Sequence, residues 1–256
     1  MIVGMQGRKA VPPIVTILAL LSACSTASAI PSGTDPGAAT GATSSAVSTS
    51  GTTPGDRTGS SRAYAASVRR IGPDLRARMR FSHRPGCPVH WKDLRYLRMT
   101  YVGFDGEAHT GEMVVHADHA EAVSEVFEQL YDARWPIRRM RLVDDYRGDD
   151  DRSMAANNTS GYNCRRVAGR DSWSAHAYDA AIDVNPVQNP YVTGSSIAPP
   201  AGRRFAAIDR LPRSRFPAGA IHAEDVVVRA FARIGWEWGG EWSTSKDYQH
   251  FSASGG

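Results

Sequence analysis

The stretch from Cys24 to about Arg62 most constrains what this chain can fold into. It consists almost entirely of Ser, Thr, Ala, Gly and Pro, and its large apolar side chains are Ile30 and Val47. Such a stretch cannot bury enough apolar surface to offset the entropy of ordering it, so residues 24–62 are predicted to be a disordered tether. Residues 63–256, about 190 residues, are enough for one compact domain with a substantial core.

The extreme N-terminus has the features of an export signal. Arg8 and Lys9 precede a mostly apolar run of thirteen residues, Val11 to Ala23. A transmembrane helix needs about twenty apolar residues, so this run is too short and fits a secretory signal better. Residues 1–23 are therefore predicted to be removed as a signal peptide.

The end of this run predicts how the mature chain is held. Leu21-Ser22-Ala23-Cys24 resembles a bacterial lipobox, in which small residues precede a lipidated cysteine. Acylation of Cys24 with more than one chain would anchor the protein stably to the outer face of the bacterial cell membrane. The alternative is ordinary signal cleavage near Ala29, followed by secretion.

The net charge argues against one class of partner. Loss of Arg8 and Lys9 with the signal lowers the formal charge from +4 to +2, because residues 1–23 contain no acidic residue. No basic stripe with interleaved aromatic residues appears, which argues against nucleic acid. We expect a monomer that touches the membrane by its lipid anchor only.

Two cysteines, Cys87 and Cys164, remain after Cys24. In an exported protein a disulfide between them is the expected state. His83 and His90 lie near Cys87, which keeps zinc binding by thiolates open as an alternative.

Alternating strand formers predict a β-hairpin. Arg95 to Gly103 alternates, Asp105-Gly106 supplies a turn, and Gly111 to His116 returns. Asp118 and Glu121 then suggest a capping box that opens a helix, and Trp135-Pro136 ends it. Its apolar face consists of residues at helical spacing: Ala120, Val123, Phe127, Leu130 and Tyr131.

The remaining pattern predicts the fold class. Ile137 to Val143 suggests a strand that runs into the acidic loop Asp144 to Asp151, and Val226 to Ile234 a second helix with Gly235 as its left-handed cap. Pro186 to Gly219 shows no period and is predicted to be a long surface loop. The order predicts an α+β fold: a single compact domain with a mainly antiparallel sheet flanked by helices.

Three ionisable side chains stand in unusual surroundings. Asp183 directly follows the apolar Ala180-Ala181-Ile182, where a buried carboxylate would be costly without a partner. His250 lies beside Phe251 in a predicted strand, and Asp247 precedes it by three residues. Catalytic zinc takes three protein ligands and leaves one position for water. The two histidines His176 and His250, together with Asp183, would satisfy that count.

These residues carry a family resemblance. Ser174-x-His176-x-x-x-x-Ala181-x-Asp183, followed by Trp238-Gly-Gly-x-Trp242 and Asp247-x-x-His250-Phe251, resembles the zinc D-alanyl-D-alanine carboxypeptidase family, which includes L-alanyl-D-glutamate endopeptidases. The resemblance covers about residues 87–252. It implies a zinc site in a cleft, with Zn²⁺ on His176, Asp183 and His250 and with Asp247 as general base.

The resemblance also implies further site residues. Arg152-Ser153, with Asn157 beyond it, looks like the family's substrate-binding arginine element, with Arg165 as the runner-up and pairing of Arg152 with Asp149 to Asp151 as the structural alternative. Ser174 is expected to hydrogen-bond within the site or to form a turn. Trp238 is expected in the core and site wall, or as a sugar platform.

One departure from the family is clear. Asp179 stands where the family commonly has glycine. Asp179 could therefore perturb the turn or act as an alternative ligand.

The function that the resemblance implies is hydrolysis of the peptidoglycan stem peptide. Zinc would lower the pKa of a bound water to about 7, Asp247 would accept its proton, and Arg152 would help to stabilise the oxyanion. Either D-Ala-D-Ala carboxypeptidase or L-Ala-D-Glu endopeptidase activity fits this sequence. The alternative is a catalytically inactive, zinc-containing cell-wall binding module.

Overall fold

Nine β-strands and four α-helices are found in the part of the chain that the computed structural model describes, residues 63–211 and 215–253. The strands are β1 (Ala66–Arg70), β2 (Leu94–Val102), β3 (Ala108–His116), β4 (Ala181–Asp183), β5 (Tyr191–Thr193), β6 (Ser196–Ala198), β7 (Glu237–Trp238), β8 (Lys246–Asp247) and β9 (His250–Ser252). The helices are α1 (Pro73–Arg78), α2 (Ala120–Asp132), α3 (Asp150–Ala155) and α4 (Val226–Arg233). The 3-10 helices are Trp91–Asp93, Ala117–His119, Val143–Tyr146, Ala175–Ala177, Pro200–Phe205 and Gly239–Glu241.

The predicted hairpin is confirmed as part of the largest sheet region. Strands β2 and β3 pair antiparallel over their full length, and β1 adds antiparallel to β2. The turn closes through the Gly103 N–H, which donates to the Glu107 carbonyl, and the Gly106 N–H, which donates to the Gly103 carbonyl. The alternating sequence therefore predicted this pairing correctly.

The hairpin buries one face against helices α2 and α4. Side chains of β2 and β3 meet the apolar stripe of α2 in the main core, and Phe231 of α4 stacks on Phe251 of β9 at 4.2 Å between ring centroids. Gly235, with φ of +78°, ends α4 as predicted. The apolar spacing of both helices thus marks the faces that pack.

The predicted capping box at Asp118 is wrong. A 3-10 helix, Ala117–His119, precedes α2, and the Asp118 N–H donates to Nδ1 of the His116 ring at 3.3 Å. Helix α2 begins at Ala120 without a side-chain cap, and Glu121 lies in its first turn. The histidine ring replaces the carboxylate cap because the chain leaves β3 directly into the turn.

The expectation of one mainly antiparallel sheet needs correction. All strand pairs are antiparallel, but they form three separate three-stranded sheets, in the orders β1-β2-β3, β4-β9-β7 and β6-β5-β8. The fold is α+β with few helices, as predicted. A cleft over the metal site stays a prediction.

The predicted strand over Ile137–Val143 does not form. Only isolated parallel bridges occur there, between Val102 and Pro136 and between Met140 and Thr159. Two backbone N–H groups of this segment, those of Arg138 and Arg141, donate to the side chains of Asn185 and Asn158, each at 2.9 Å. Asparagine side chains therefore take the place of a strand ladder.

The predicted long loop, Pro186–Gly219, contains regular structure. Strands β5 and β6 form a short hairpin within it, and a 3-10 helix, Pro200–Phe205, follows. Strand β5 also pairs with β8, which carries Asp247. The sequence showed no period there because each element is only a few residues long.

A disulfide joins Cys87 and Cys164, as predicted, with 5.9 Å between their Cα atoms. It lies in a second apolar cluster on the other side of β2 and β3, with Leu94, Tyr96 and Val114. The bridge ties the segment before β2 to the segment that leads into the candidate site.

The signal peptide, the tether and Cys24 lie outside the described residues. Within residues 63–211 and 215–253, no helix is long and apolar enough to cross a membrane. These described residues fall in one compact unit, Arg57–Gly256.

Candidate metal centre

Asp183 and His250 are brought together by strand pairing. Strand β4 pairs antiparallel with β9, and the register sets Asp183 directly opposite His250. Directly opposed side chains on one face of a sheet lie close enough to interact. The Asp183 Oδ1 atom is 3.1 Å from Nδ1 of His250. The apolar run before Asp183 indicated burial of its carboxylate, and pairing of β4 with β9 adds the partner.

His176 reaches the same carboxylate from a 3-10 helix. Ser174 caps this helix, since its Oγ accepts from the His176 N–H at 3.4 Å. The Nδ1 atom of His176 lies 2.8 Å from the Gly161 carbonyl, so Nδ1 carries the proton and donates to it. Its Nε2 atom lies 3.2 Å from Oδ2 of Asp183. The carbonyl therefore orients the ring and leaves Nε2 available as a ligand.

The three side chains form a compact, buried donor set. One ligand atom from each of His176, Asp183 and His250 lies within 4.8 Å of the others, and all three residues are buried. It is the one such group of three found among residues 63–211 and 215–253. Two imidazole nitrogens and one carboxylate oxygen are the donors of many catalytic zinc sites. The residues present fit a zinc ion.

The electrostatics of the group favour a cation. Burial works to raise the pKa of the Asp183 carboxyl, but the two imidazoles outweigh it and hold that pKa well below its usual range. Burial works to lower the pKa of His176, yet the Asp183 charge raises it overall. The carboxylate is thus kept ionised in a buried place, where positive charge must balance it.

Asp247 lies beside this group on β8. Burial, and after it the charge of Asp183, raises the pKa of the Asp247 carboxyl to about 7, while His250, Gln249 and His176 act in the opposite direction. Its Oδ1 atom is buried and has no hydrogen-bond partner among the described residues. A carboxyl with that environment can hold or release a proton near neutral pH.

Gly239 allows this close approach. A Cβ atom at Gly239 would lie 2.6 Å from the Asp247 carbonyl oxygen, 3.0 Å from the Asp247 Cβ and 3.3 Å from the His250 Cβ. Sequence reasoning missed this role, although the Trp-Gly-Gly motif contained the signal. The same motif places Trp242, whose ring centroid is 5.4 Å from that of His250.

The two candidate arginines differ in position. The Arg152 side chain is 67% exposed and pairs with Asp149 at 3.1 Å. The Arg165 side chain is 28% exposed and pairs with Asp150 at 2.7 Å. Among the charges that act on the pKa of His176, that of Arg165 lowers it and that of Asp150 raises it. Arg165 therefore lies within electrostatic reach of the candidate metal centre.

Asn157 and Trp238 make structural bonds. The Asn157 side chain is buried, donates to Gln188 Oε1 and accepts from the Val187 N–H, both at 2.8 Å. The Trp238 indole N–H donates to the Tyr248 carbonyl at 2.9 Å. The bonds of Asn157 fix the segment after β4, and the bond of Trp238 fixes the turn between β8 and β9. The support that these bonds give the site is therefore indirect.

Asp179 lies outside the donor set. It is fully buried, has a φ of +57°, and neither of its carboxylate oxygens has a hydrogen-bond partner among the described residues. Burial raises the pKa of its carboxyl well above the usual value. The left-handed backbone is the conformation that glycine adopts most readily.

Comparisons with known proteins support the resemblance. Residues 168–253 match the family model described as D-alanyl-D-alanine carboxypeptidase. The match includes His176, Asp183, Asp247 and His250, whereas Arg152 and Arg165 precede it. No curated protein and no solved structure matches the chain. Over residues 168–253, the chain is therefore similar to the D-alanyl-D-alanine carboxypeptidase family of peptidases.

Proposed function

We propose that this protein is a zinc-dependent peptidase that hydrolyses peptide bonds in the stem peptide of peptidoglycan. The observation that carries the proposal is the buried set of His176, Asp183 and His250 with Asp247 at its side. The family match supports peptide-bond chemistry. A purely structural zinc site would need no second buried carboxyl beside its ligands, which argues against the inactive binding module.

The zinc ligands would be His176, Asp183 and His250. When bound, zinc supplies a Lewis acid that polarises the peptide carbonyl and makes water a nucleophile near neutral pH. The Gly161 carbonyl holds the His176 ring in the tautomer that leaves Nε2 free. The β4–β9 register holds Asp183 against His250.

Asp247 would move the proton. Its carboxylate accepts a proton from the attacking water and returns it to the amine of the leaving fragment. Asp183 and burial both favour the protonated form of Asp247. A divalent cation at the three donors favours the ionised form, so the carboxyl is a base while the cation is present.

Arg165 is the better candidate for binding the substrate carbonyl or carboxylate. The Arg165 carbonyl accepts from the Ser174 N–H at 3.0 Å, which places its backbone beside the turn that carries His176. Its Nε atom is buried and has no hydrogen-bond partner among the described residues. Asp150 orients the guanidinium. The exposed Arg152 instead pairs with Asp149.

The proposed location follows from the N-terminal sequence. Acylation of Cys24 would hold the enzyme on the outer face of the cell membrane, where peptidoglycan lies. The tether, residues 24–62, would let a monomeric domain reach the wall. No nucleic acid takes part in this proposal.

The experiment combines metal analysis with digestion of purified peptidoglycan. The wild-type protein should contain about one zinc per chain, and mass spectrometry should find free D-Ala or new L-Ala termini. Asp247→Ala should keep zinc and lose about 10²- to 10⁴-fold in rate, the usual contribution of a general base. His250→Ala should lose both. Arg165→Ala should lower kcat/KM more than Arg152→Ala.

Asp74→Ala, at an exposed carboxylate of α1, is the control and should behave as wild type. Zinc without any released product would support the binding module instead. Turnover by Asp247→Ala at the wild-type rate would rule out the assigned base.

A further inference from the structure

A concave site lies away from the donor set. It is a cavity of about 780 Å³ between the β2–β3 hairpin and residues 138–141. We call it the arginine pocket, because five arginines line it. They are Arg69, Arg98, Arg138, Arg139 and Arg141. None of the residues assigned to the candidate metal centre lines it.

The acidic groups of the arginine pocket are already engaged. Glu112 and Asp145 both bond Arg78, at 2.5 Å and 3.3 Å. Asp105 pairs with His109 at 3.0 Å. With Arg78 included, six arginines face three carboxylates, which leaves a net charge of +3 when His109 is neutral.

The five guanidinium groups form no hydrogen bond or ion pair with the described residues, although the charge of Arg98 acts on Glu112. That of Arg69 lies over the Tyr96 ring, 5.2 Å from its centroid. Those of Arg98, Arg138, Arg139 and Arg141 make no hydrogen bond or ion pair with any residue in 63–211 or 215–253. Several like charges gathered in one concavity repel each other unless an anion lies among them.

Hydrogen bonds and close packing hold the backbone of residues 138–141 in place. The Glu112 N–H donates to the Met140 carbonyl at 3.0 Å, so residues 138–141 lie against the edge of β3. A Cβ at Gly111 would lie 2.5 Å from the Met140 Cβ, so glycine permits the contact. The bonds from Asn158 and Asn185 fix the same segment from its other side.

The buried wall of the arginine pocket is aromatic. Tyr101 and Tyr96 are both buried, and the Tyr101 ring stacks on His109 with 5.4 Å between centroids. Burial raises the pKa of Tyr101, and the charges of Arg141, Arg139 and Arg138 act against it, in that order. The charges of these three guanidiniums therefore act on one buried tyrosine.

We propose that the arginine pocket binds a polymer that carries repeated phosphate groups. An arginine fork matches two oxygens of a phosphate. The tetrahedral oxygens of a phosphate can accept from more than one guanidinium, and the cavity is lined by Arg98 of β2 on the hairpin side and by Arg139 and Arg141 on the other side. A planar carboxylate accepts in one plane only. A membrane surface is a poorer fit, because the arginines line a concavity with a tyrosine wall.

The test is binding of a short poly(glycerol phosphate) chain to the full-length protein by calorimetry at low salt. The double variant Arg139→Gln/Arg141→Gln should bind at least about tenfold more weakly, since each charge-assisted contact contributes about that factor. The wild-type affinity should fall as salt is added. The matched control, Arg203→Gln/Arg204→Gln, removes the same charge from an exposed 3-10 helix and should bind within about twofold of wild type.

Four results would overturn the proposal. They are no binding to the wild type, equal losses in the two double variants, equal binding of poly-glutamate, and binding of phosphatidylglycerol vesicles without binding of the polymer. Equal loss would mean that net charge alone attracts the polymer. Thermal unfolding of each variant identifies a folding defect, and the single variant Arg98→Gln then tests the opposite wall. Peptidase activity is not the readout, so the result is independent of the proposed function.

Discussion

At the scale of single residues, Asp179 combines two unfavourable features. Its backbone adopts a left-handed conformation, and its buried carboxyl has no hydrogen-bond partner among the described residues. A left-handed residue that is not glycine costs about 1 kcal/mol, and an unsatisfied buried polar group about 1–3 kcal/mol. Glycine, which is common at this position in the family that the chain resembles, would remove both costs.

Asp179→Gly should therefore raise the free energy of unfolding by about 1 kcal/mol, after the greater chain entropy of glycine is subtracted. Urea denaturation at pH 7 measures it. Asp179→Ala keeps the backbone strain and should gain less, which separates the two causes. A loss of stability in Asp179→Gly would mean that the carboxyl has a favourable role, and loss of zinc would restore Asp179 as a ligand.

At the scale of elements, the position of Asp247 depends on strand pairing across the chain. Strand β8 pairs with β5, which sets Asp247 opposite Tyr191. Gly239 lies under β8 and leaves room for the Asp247 backbone. Asp247, the proposed general base, is thus placed by a hairpin from the segment that sequence reasoning expected to be irregular.

Gly239→Ala should displace β8, because its new Cβ would lie 2.6 Å from the Asp247 carbonyl oxygen. A shift of about 1 Å at a catalytic group can cost about 10²-fold in rate. We expect kcat/KM for hydrolysis of the stem peptide to fall by about that factor, with zinc content largely kept. Gly72→Ala, which meets nothing within 4 Å, is the control. Equal kinetics in the two variants would show that β8 accommodates the added Cβ without displacing Asp247.

At the scale of the whole molecule, two cross-links join segments that are distant in the sequence. The disulfide Cys87–Cys164 ties the start of the domain to the segment before the candidate site. Arg78, at the end of α1, bonds Glu112 of β3 and Asp145, and the Tyr96 hydroxyl also donates to Glu112. The second cross-link depends on an ionised carboxyl, so it should make stability depend on pH.

The Arg78 hydrogen bond, opposed by burial, holds the pKa of Glu112 below its usual value of 4.5. A depressed pKa in the folded state stabilises the protein above the unfolded pKa, and this stabilisation is lost as pH falls through the folded pKa. Glu112→Gln should cost about 1 kcal/mol at pH 7, discounted because Arg78 is partly exposed. The difference in free energy of unfolding between this variant and wild type should vanish below the pKa of Glu112 in the folded protein.

Urea denaturation from pH 7 to pH 3 would measure this, with the exposed Glu107→Gln as control. Parallel stability curves for wild type and Glu112→Gln across this range would show that the ion pair contributes nothing.

The sequence by itself determined the local structure and the kinds of side chain at the site. Alternation predicted β2 and β3, apolar spacing predicted the packed faces of α2 and α4, and Gly235 predicted the end of α4. The motif residues His176, Asp183 and His250 were recognisable because they match the pattern of the family that the chain resembles, and the carboxylate after an apolar run pointed to a cation beside it. Each of these features depends on neighbours a few residues apart, which a pattern can display.

Only the tertiary structure decided the features that depend on distant partners. Asparagine side chains from elsewhere in the chain, not a strand ladder, accept from the backbone N–H groups of Arg138 and Arg141. Strand β5 becomes regular because β8 pairs with it, and Arg165 rather than Arg152 lies within reach of His176. Hydrogen bonds and charges act through space, so their effect on one segment follows from the segment that folding places beside it.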